Sequence, residues 1–164
     1  MSFSTFSGPL VSGTERYGAN TVRNTGLPLL TQSATVLPAA ILQSPTAQAL
    51  FTLPAGAKIL RLTFEKTATI TTATAIAVTI GDSGTANKYM TTAAIGVTTA
   101  RAVAATIDAA LVTSECNNIG TADKTIYGTF TASTGDAAGG SVIVTVEYIQ
   151  RAADGSQYPS GTAL

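Results

Sequence analysis

Apolar and polar residues alternate most regularly between Leu53 and Ser83. Leu60, Leu62 and Phe64 fall on one parity and Arg61, Thr63 and Glu65 on the other, the period of a strand with one buried and one wet face. Ile76, Val78 and Ile80 repeat the pattern, and Gly81-Asp82-Ser83-Gly84 ends it with turn-forming residues. The two runs are expected to be neighbours in one antiparallel sheet. Upstream, Thr31 to Leu37 alternates well enough for a first strand, Pro38 and Pro45 bracket a connector from Ala39 to Ser44, and Ala47 to Leu53 gives a second short strand. Pro54-Ala55-Gly56 then turns the chain into the strand at Lys58.

Downstream, Asn87 to Thr92 suits a strand around Tyr89 and Met90. The span Thr99 to Thr113 reads two ways: Val103, Ile107 and Leu111 at helical spacing among alanines suit a helix, whereas its threonines and Ala/Val alternation suit a strand. The β surroundings favour the strand. Ser114 to Thr121 reads as a loop, Thr125 to Thr131 as a strand carrying Ile126, Tyr127 and Phe130, and Gly135 to Gly140 as a hairpin-type turn. Val142, Val144, Val146 and Tyr148 form one face of a strong last strand, opposed by Thr145 and Glu147. Roughly seven to nine short strands at such spacing predict an all-β antiparallel sandwich or barrel. The predicted organisation is an extended N-terminal arm over 1–30, a β-sandwich over 31–150 and a Gly/Ser/Pro tail over 151–164.

The arm supports neither helix nor long strand, because Gly8-Pro9, Gly13, Gly18, Gly26 and Pro28 interrupt it. Chain termini are usually solvating tails. Among the arm's isolated apolar residues, Phe3, Phe6, Leu10, Val11, Tyr17 and Val22, Phe3, Phe6, Leu10 and Tyr17 are unusual in such a tail, since disordered segments are poor in aromatics. The expected role is an arm that orders against another subunit by strand addition, with alternate side chains in pockets.

Composition sharpens this picture. With 164 residues the chain fits one domain, which buries roughly 70% of its unfolded surface and needs no staples. Charged residues make up 11% against 45% apolar, so the surface falls to Thr, Ser, Ala, Gly and Asn and is expected to be covered by partners. Net charge is zero and the nine basic residues are scattered; a nucleic-acid binder needs a basic stripe, so direct DNA or RNA contact is not expected. No apolar run approaches a membrane span and Met1 to Ser7 lacks the features of a secretory signal, so neither membrane insertion nor export by the usual route is expected. The single cysteine, Cys116, excludes an intrachain disulfide and reads as a small, partly buried residue.

Candidate chemistry is sparse, and no enzyme, cofactor or metal is expected. The chain has no histidine, which removes the commonest general base and metal ligand. Gly81-Asp82-Ser83-Gly84 matches the tetrapeptide around a chymotrypsin-like nucleophile, yet there is no imidazole to take its proton, and the residues suit a tight turn. A Ser83/Lys88 pair stays open. Asp82, Asp136 and Asp154 read as turn residues, and Asp108, Glu115 and Asp123 are too dispersed for calcium. Gly139-Gly140 precedes a strand and not a helix, so it is no phosphate cradle.

The run Phe6 to Thr14, Asn24-Thr25-Gly26-Leu27, Thr31 to Thr35, Leu53 to Leu60 and Val144 to Ile149 together resemble small virion structural proteins of tailed bacteriophages, and among them capsid decoration, or cement, proteins. The resemblance implies a homotrimeric, jelly-roll-like sandwich on the outside of an icosahedral head assembled in the host cytoplasm. It would bridge neighbouring capsomers of the major capsid protein against internal DNA pressure. On that reading Phe3, Phe6, Leu10, Val11 and Tyr17 anchor the arm on an adjacent subunit, while Arg16 and Arg23 pair with carboxylates of the capsid floor or stay solvated. A neutral chain should attach mainly by burial and backbone hydrogen bonds, with modest salt dependence. Other readings are a head-fibre base, a tail-tube subunit, and a sugar-binding sandwich built on Tyr89, Tyr127 and Tyr158.

Overall fold

Burial follows the alternation almost residue by residue. The computed structural model describes residues 29–96, 103–104 and 111–151. In order along the chain, the strands are β1 (Leu29–Val36), β2 (Ile41–Leu42) after a single 3-10 turn at Pro38–Ala40, β3 (Gln48–Leu53), β4 (Lys58–Lys66), β5 (Ala75–Gly81), β6 (Met90–Gly96), β7 (Val103–Ala104), β8 (Lys124–Ala132) and β9 (Val142–Ile149). One helical turn, α1 (Thr113–Cys116), interrupts them. On β9, Val142, Val144, Val146 and Tyr148 are buried and the residues between them half-buried; on β5, Ile76, Val78 and Ile80 are fully buried.

The strands form two sheets, ordered β1-β9-β4-β7 and β2-β8-β5-β6, with β3 also on β8. Pairing is nested: β1 with β9, β3 with β8, β4 with β7 and β5 with β6, all antiparallel. The chain is thus one long hairpin, its arms paired from the ends inward to the β5–β6 turn and then rolled across two sheets. That is the jelly-roll arrangement. Phe64, Leu62 and Val144 from the first sheet meet Phe130, Val78 and Ile126 from the second in one core, where each buried large side chain contributes roughly 1.5–3 kcal/mol.

Three expectations fail for identifiable reasons. β4 and β5 are not neighbours: they lie in different sheets, because residues 67–74 carry the chain across the sandwich. Gly135 to Gly140 is not a hairpin turn for the same reason, since β8 pairs with β5 and β3 whereas β9 pairs with β1 and β4. Leu60 is 38% exposed and Ile59 is buried in its place. A bulge between Ile59 and Arg61 shifts the register on β9 there, and one extra residue reverses which side chain faces inward. Residues 114–121, expected as loop, begin inside α1. Of the two-sided span 99–113, Val103–Ala104 is strand, paired with Glu65 and Phe64.

Candidate functional site

The strands place the loops in two groups, one at each end of the sandwich. At the first end, residues 67–74 and 133–141, both crossing between sheets, run side by side and are joined by hydroxyls. Thr71 and Ala138 exchange backbone hydrogen bonds of 2.9 and 3.0 Å, and the Thr71 hydroxyl also donates to the Ala138 carbonyl. Thr67 Oγ1 accepts from the Ser141 N–H at 3.0 Å and lies 2.9 Å from the Ser141 hydroxyl. Thr74 Oγ1 lies 2.8 Å from Ser133 Oγ. Asp136 Oδ1 accepts the Gln43 N–H at 2.9 Å, which ties in the loop after β2. Thr72 has φ 70°, an unusual conformation for a β-branched residue, and its hydroxyl bonds the Thr71 and Asp136 carbonyls.

Beneath this end, Lys66 shares the inward parity of Leu62 and Phe64. It is 1% exposed and its Nζ has no hydrogen-bond partner. Burial pushes its amine below the ordinary lysine value, because a low-dielectric surrounding disfavours the charged form. Sequence reasoning passed over this residue, although its parity was the available signal.

The second end gathers residues 54–57, 82–89 and 111–123, and charge holds it. Asp82 Oδ1 accepts the N–H groups of Gly84 and Thr85, both at 2.9 Å, so Gly81-Asp82-Ser83-Gly84 is a turn. Lys88 Nζ lies 3.0 Å from Asp82 and 3.8 Å from Glu115. Burial alone would raise the Asp82 carboxyl, but Lys88 and the two N–H groups outweigh it and hold the group below its ordinary value. The hydrogen bond to Asp82 raises Lys88 in turn. A lysine so held stays protonated, which removes it as a base for Ser83.

Cys116 is buried and its Sγ donates to the Tyr89 carbonyl at 3.2 Å. Burial pushes this thiol up to about 11, the opposite of what a nucleophilic cysteine needs. Asp123 Oδ1 accepts the Ala55 N–H at 3.0 Å. Among the described residues no group of three or more potential ligands could hold a metal ion. No helix among them is long and apolar enough to cross a membrane.

The outer faces differ too. On the first sheet, Lys58, Arg61, Glu65 and Glu147 point outward, with Arg61 and Glu147 3.7 Å apart. On the second, the outward positions of β8 and β5 are Thr125, Tyr127, Thr129, Thr131, Ala75, Ala77 and Thr79, without a charge. Tyr127 is half-buried on that face whereas Tyr89 is fully buried in the core, so the two cannot form the exposed aromatic cluster considered for sugar binding; Tyr158 lies outside the described residues.

The edges differ most. Between β1 and β3 runs an open groove of about 350 Å3, lined by Ala34 to Leu37, Ala39, Ala40 and Gln48 to Leu50. Gln32 closes its far end by donating to the Thr52 carbonyl at 3.1 Å. The predicted arm residues Phe3, Phe6, Leu10, Val11, Arg16, Tyr17 and Arg23 lie outside the described residues. The first described residue, Leu29, pairs with Ile149 and lies at the second end.

No family model and no curated protein matches the chain. Among solved structures, it is similar to a chain of the cyanophage Pam1 capsid asymmetric unit, with 23% identity and a TM-score of 0.50 over 88% of this chain and 100% of that one. A chain of the acidic stable capsid of Helicobacter pylori bacteriophage KHP30 is similar at 15% identity and a TM-score of 0.42, over 74% of this chain and 87% of that one.

Proposed function

We propose that the chain is a bacteriophage virion protein that decorates the capsid: a homotrimer on the outer surface of the major capsid shell, bridging neighbouring capsomers through its N-terminal arm and stabilising the head. The observation that carries this reading is the shared fold with a capsid chain matched over its full length. The surface supports it as well. A body with 11% charged residues and an uncharged Thr/Ala/Tyr outer face suits one that works covered by neighbours. Its role is mechanical and not catalytic, in keeping with a histidine-free sequence, a turn where a nucleophile was conceivable, and a thiol and a lysine each held in the unreactive form.

The test is reconstitution. Expanded heads assembled without the chain are incubated with it, and native mass spectrometry is run on the free protein. Trimers that bind the heads and raise their rupture temperature support the reading; stacked rings, or no binding at any ratio, overturn it. Deleting residues 2–23 should leave a folded sandwich that no longer binds.

A further inference from the structure

Among the described residues, the sandwich carries one edge without the usual protections. Natural edge strands are kept short, charged, bulged or broken by proline, because a bare row of N–H and C=O groups invites another strand. β1 is eight residues long, Leu-Leu-Thr-Gln-Ser-Ala-Thr-Val, with no charge and no proline. It pairs with β9 over its whole length without a register shift, and among the described residues no strand pairs with its other edge. By contrast β3 and β6 belong to pairings with register shifts, and β7 has only two residues. Leu29 and Leu37, the most exposed large apolar side chains among the described residues at 56% and 62%, sit at the two ends of β1. The uncharged groove against β3 opens along its second half.

We propose that this edge and groove are the acceptor site for residues 1–28 of a second copy, which add a strand along β1 and seat apolar side chains in the groove. The inference deepens the decoration reading and rests on its arm. Three observations favour this occupant. The 28 residues before Leu29 can reach up to roughly 90 Å when extended, far beyond the roughly 26 Å of β1 itself, so they suffice to cross to a neighbour. The first charged residue is Glu15, so the leading segment matches a groove lined without charge. A second copy's β1 could pair with this edge, but its inward side chains Leu30, Ala34 and Val36 are already packed in its own core and could not fill the groove. Phe3, Phe6, Leu10 and Val11 have no such assignment.

The experiment uses the full chain in a Cys116→Ser background. Copies carrying a single cysteine at Phe3, Phe6, Leu10 or Val11 are mixed with differently tagged copies carrying Leu37→Cys and oxidised mildly. At least one arm position should yield a disulfide between the two tags, well above the yield against Thr129→Cys on the outer face of the second sheet. Leu37→Glu, at an exposed position that leaves the core intact, should shift the native mass from oligomer to monomer. The proposal is overturned if Leu37→Cys pairs with Leu37→Cys while no arm position reacts, or if no cross-link forms at all. Heads are absent from this assay. Arm-exchanged oligomers that fail to decorate heads would sink the decoration reading alone, and trimers that decorate them without any arm cross-link would sink the acceptor site alone.

Discussion

Lys66 and Lys88 sit at opposite ends of the same sandwich and show two ways of closing it. At the second end, Lys88 bridges Asp82 and Glu115 and is raised by the bond to Asp82. Charge there locks the turn after β5 to α1. At the first end, hydroxyls and backbone groups of residues 67–74 and 133–141 do the locking, and Lys66 lies under them without a partner and is lowered by burial. The lesson is about where order comes from. The end at which Leu29 begins β1 is held by directional, ionic contacts, while the opposite end is closed mostly by neutral bonds over a buried amine.

The sharpest break in the comparison comes from glycine. A Cβ on Gly81 would fall 1.9 Å from the Thr85 carbonyl oxygen and 2.5 Å from the Ala86 carbonyl carbon, so backbone must move and the charged turn with it. Gly81→Ala should cost about 3 kcal/mol or more. At the other end Gly140 has φ +68° and a Cβ would lie 3.0 Å from the Ala68 carbonyl oxygen, which predicts a smaller loss of about 1–2 kcal/mol for Gly140→Ala. Urea unfolding of both variants checks the order; equal losses would mean that the ends are equally rigid.

Lys66→Met comes next, and its sign is opposite. Removing an unsatisfied buried amine should stabilise the fold by about 1–3 kcal/mol at neutral pH. Because the folded-state amine lies below 10.5, the unfolded chain binds more protons between the two values, and stability contributed by this group rises with pH through that window. Lys88 runs the other way: its contribution is present below 10.5 and is lost as pH climbs through its raised folded value. Tyr89 and Cys116, both raised chiefly by burial, also lower stability above pH 10.0 and 9.0 respectively. The Lys66 effect is therefore read as the difference between wild type and Lys66→Met, which should shrink toward alkaline pH; a difference that stays constant would place the amine in contact with water.

Asp82→Asn tests the ionic end. It keeps an acceptor for the Gly84 and Thr85 N–H groups and removes the charge facing Lys88, a pair only 10% and 29% exposed, so about 1–2 kcal/mol should be lost. The folded carboxyl lies below 3.8, so this contribution holds above that value and disappears as pH falls through the lowered one. Wild type and Asp82→Asn should converge in stability in acid.

The alternation in β4, β5, β8 and β9 was legible because one face of each is core, and core parity is what the residues record. Sheet membership was not. Residues 67–74 and 133–140 carry the turn residues of a hairpin, and nothing local says whether the next strand returns beside the last or crosses to the facing sheet; that choice depends on nested pairing between residues as distant as Leu29 and Ile149. Leu60 was misread because a bulge is a property of two strands together. Lys66 was readable from parity, yet a charged residue at a strand end looks like the onset of a loop. Of the candidate site, the low charge pointed to a covered body, whereas the bare edge of β1 needed the sheet order before it could be seen.

The smallest effect separates the two ends most cleanly. Thr67→Val removes the hydroxyl that accepts the Ser141 N–H at 3.0 Å and meets the Ser141 hydroxyl, at an exposed site where water can replace it, so about 0.5–1 kcal/mol should be lost. Its partners are neutral, and the loss should be the same at low and high salt. The Asp82→Asn loss should shrink as salt is added, since screening at 1 M ionic strength acts over roughly 3 Å, about the separation of the Lys88 pair. Measuring both variants against wild type at two salt concentrations gives four losses, and the architecture predicts salt dependence in the Asp82 comparison alone. If the Thr67 loss also falls with salt, the first end is held by charges that the hydroxyl network does not contain.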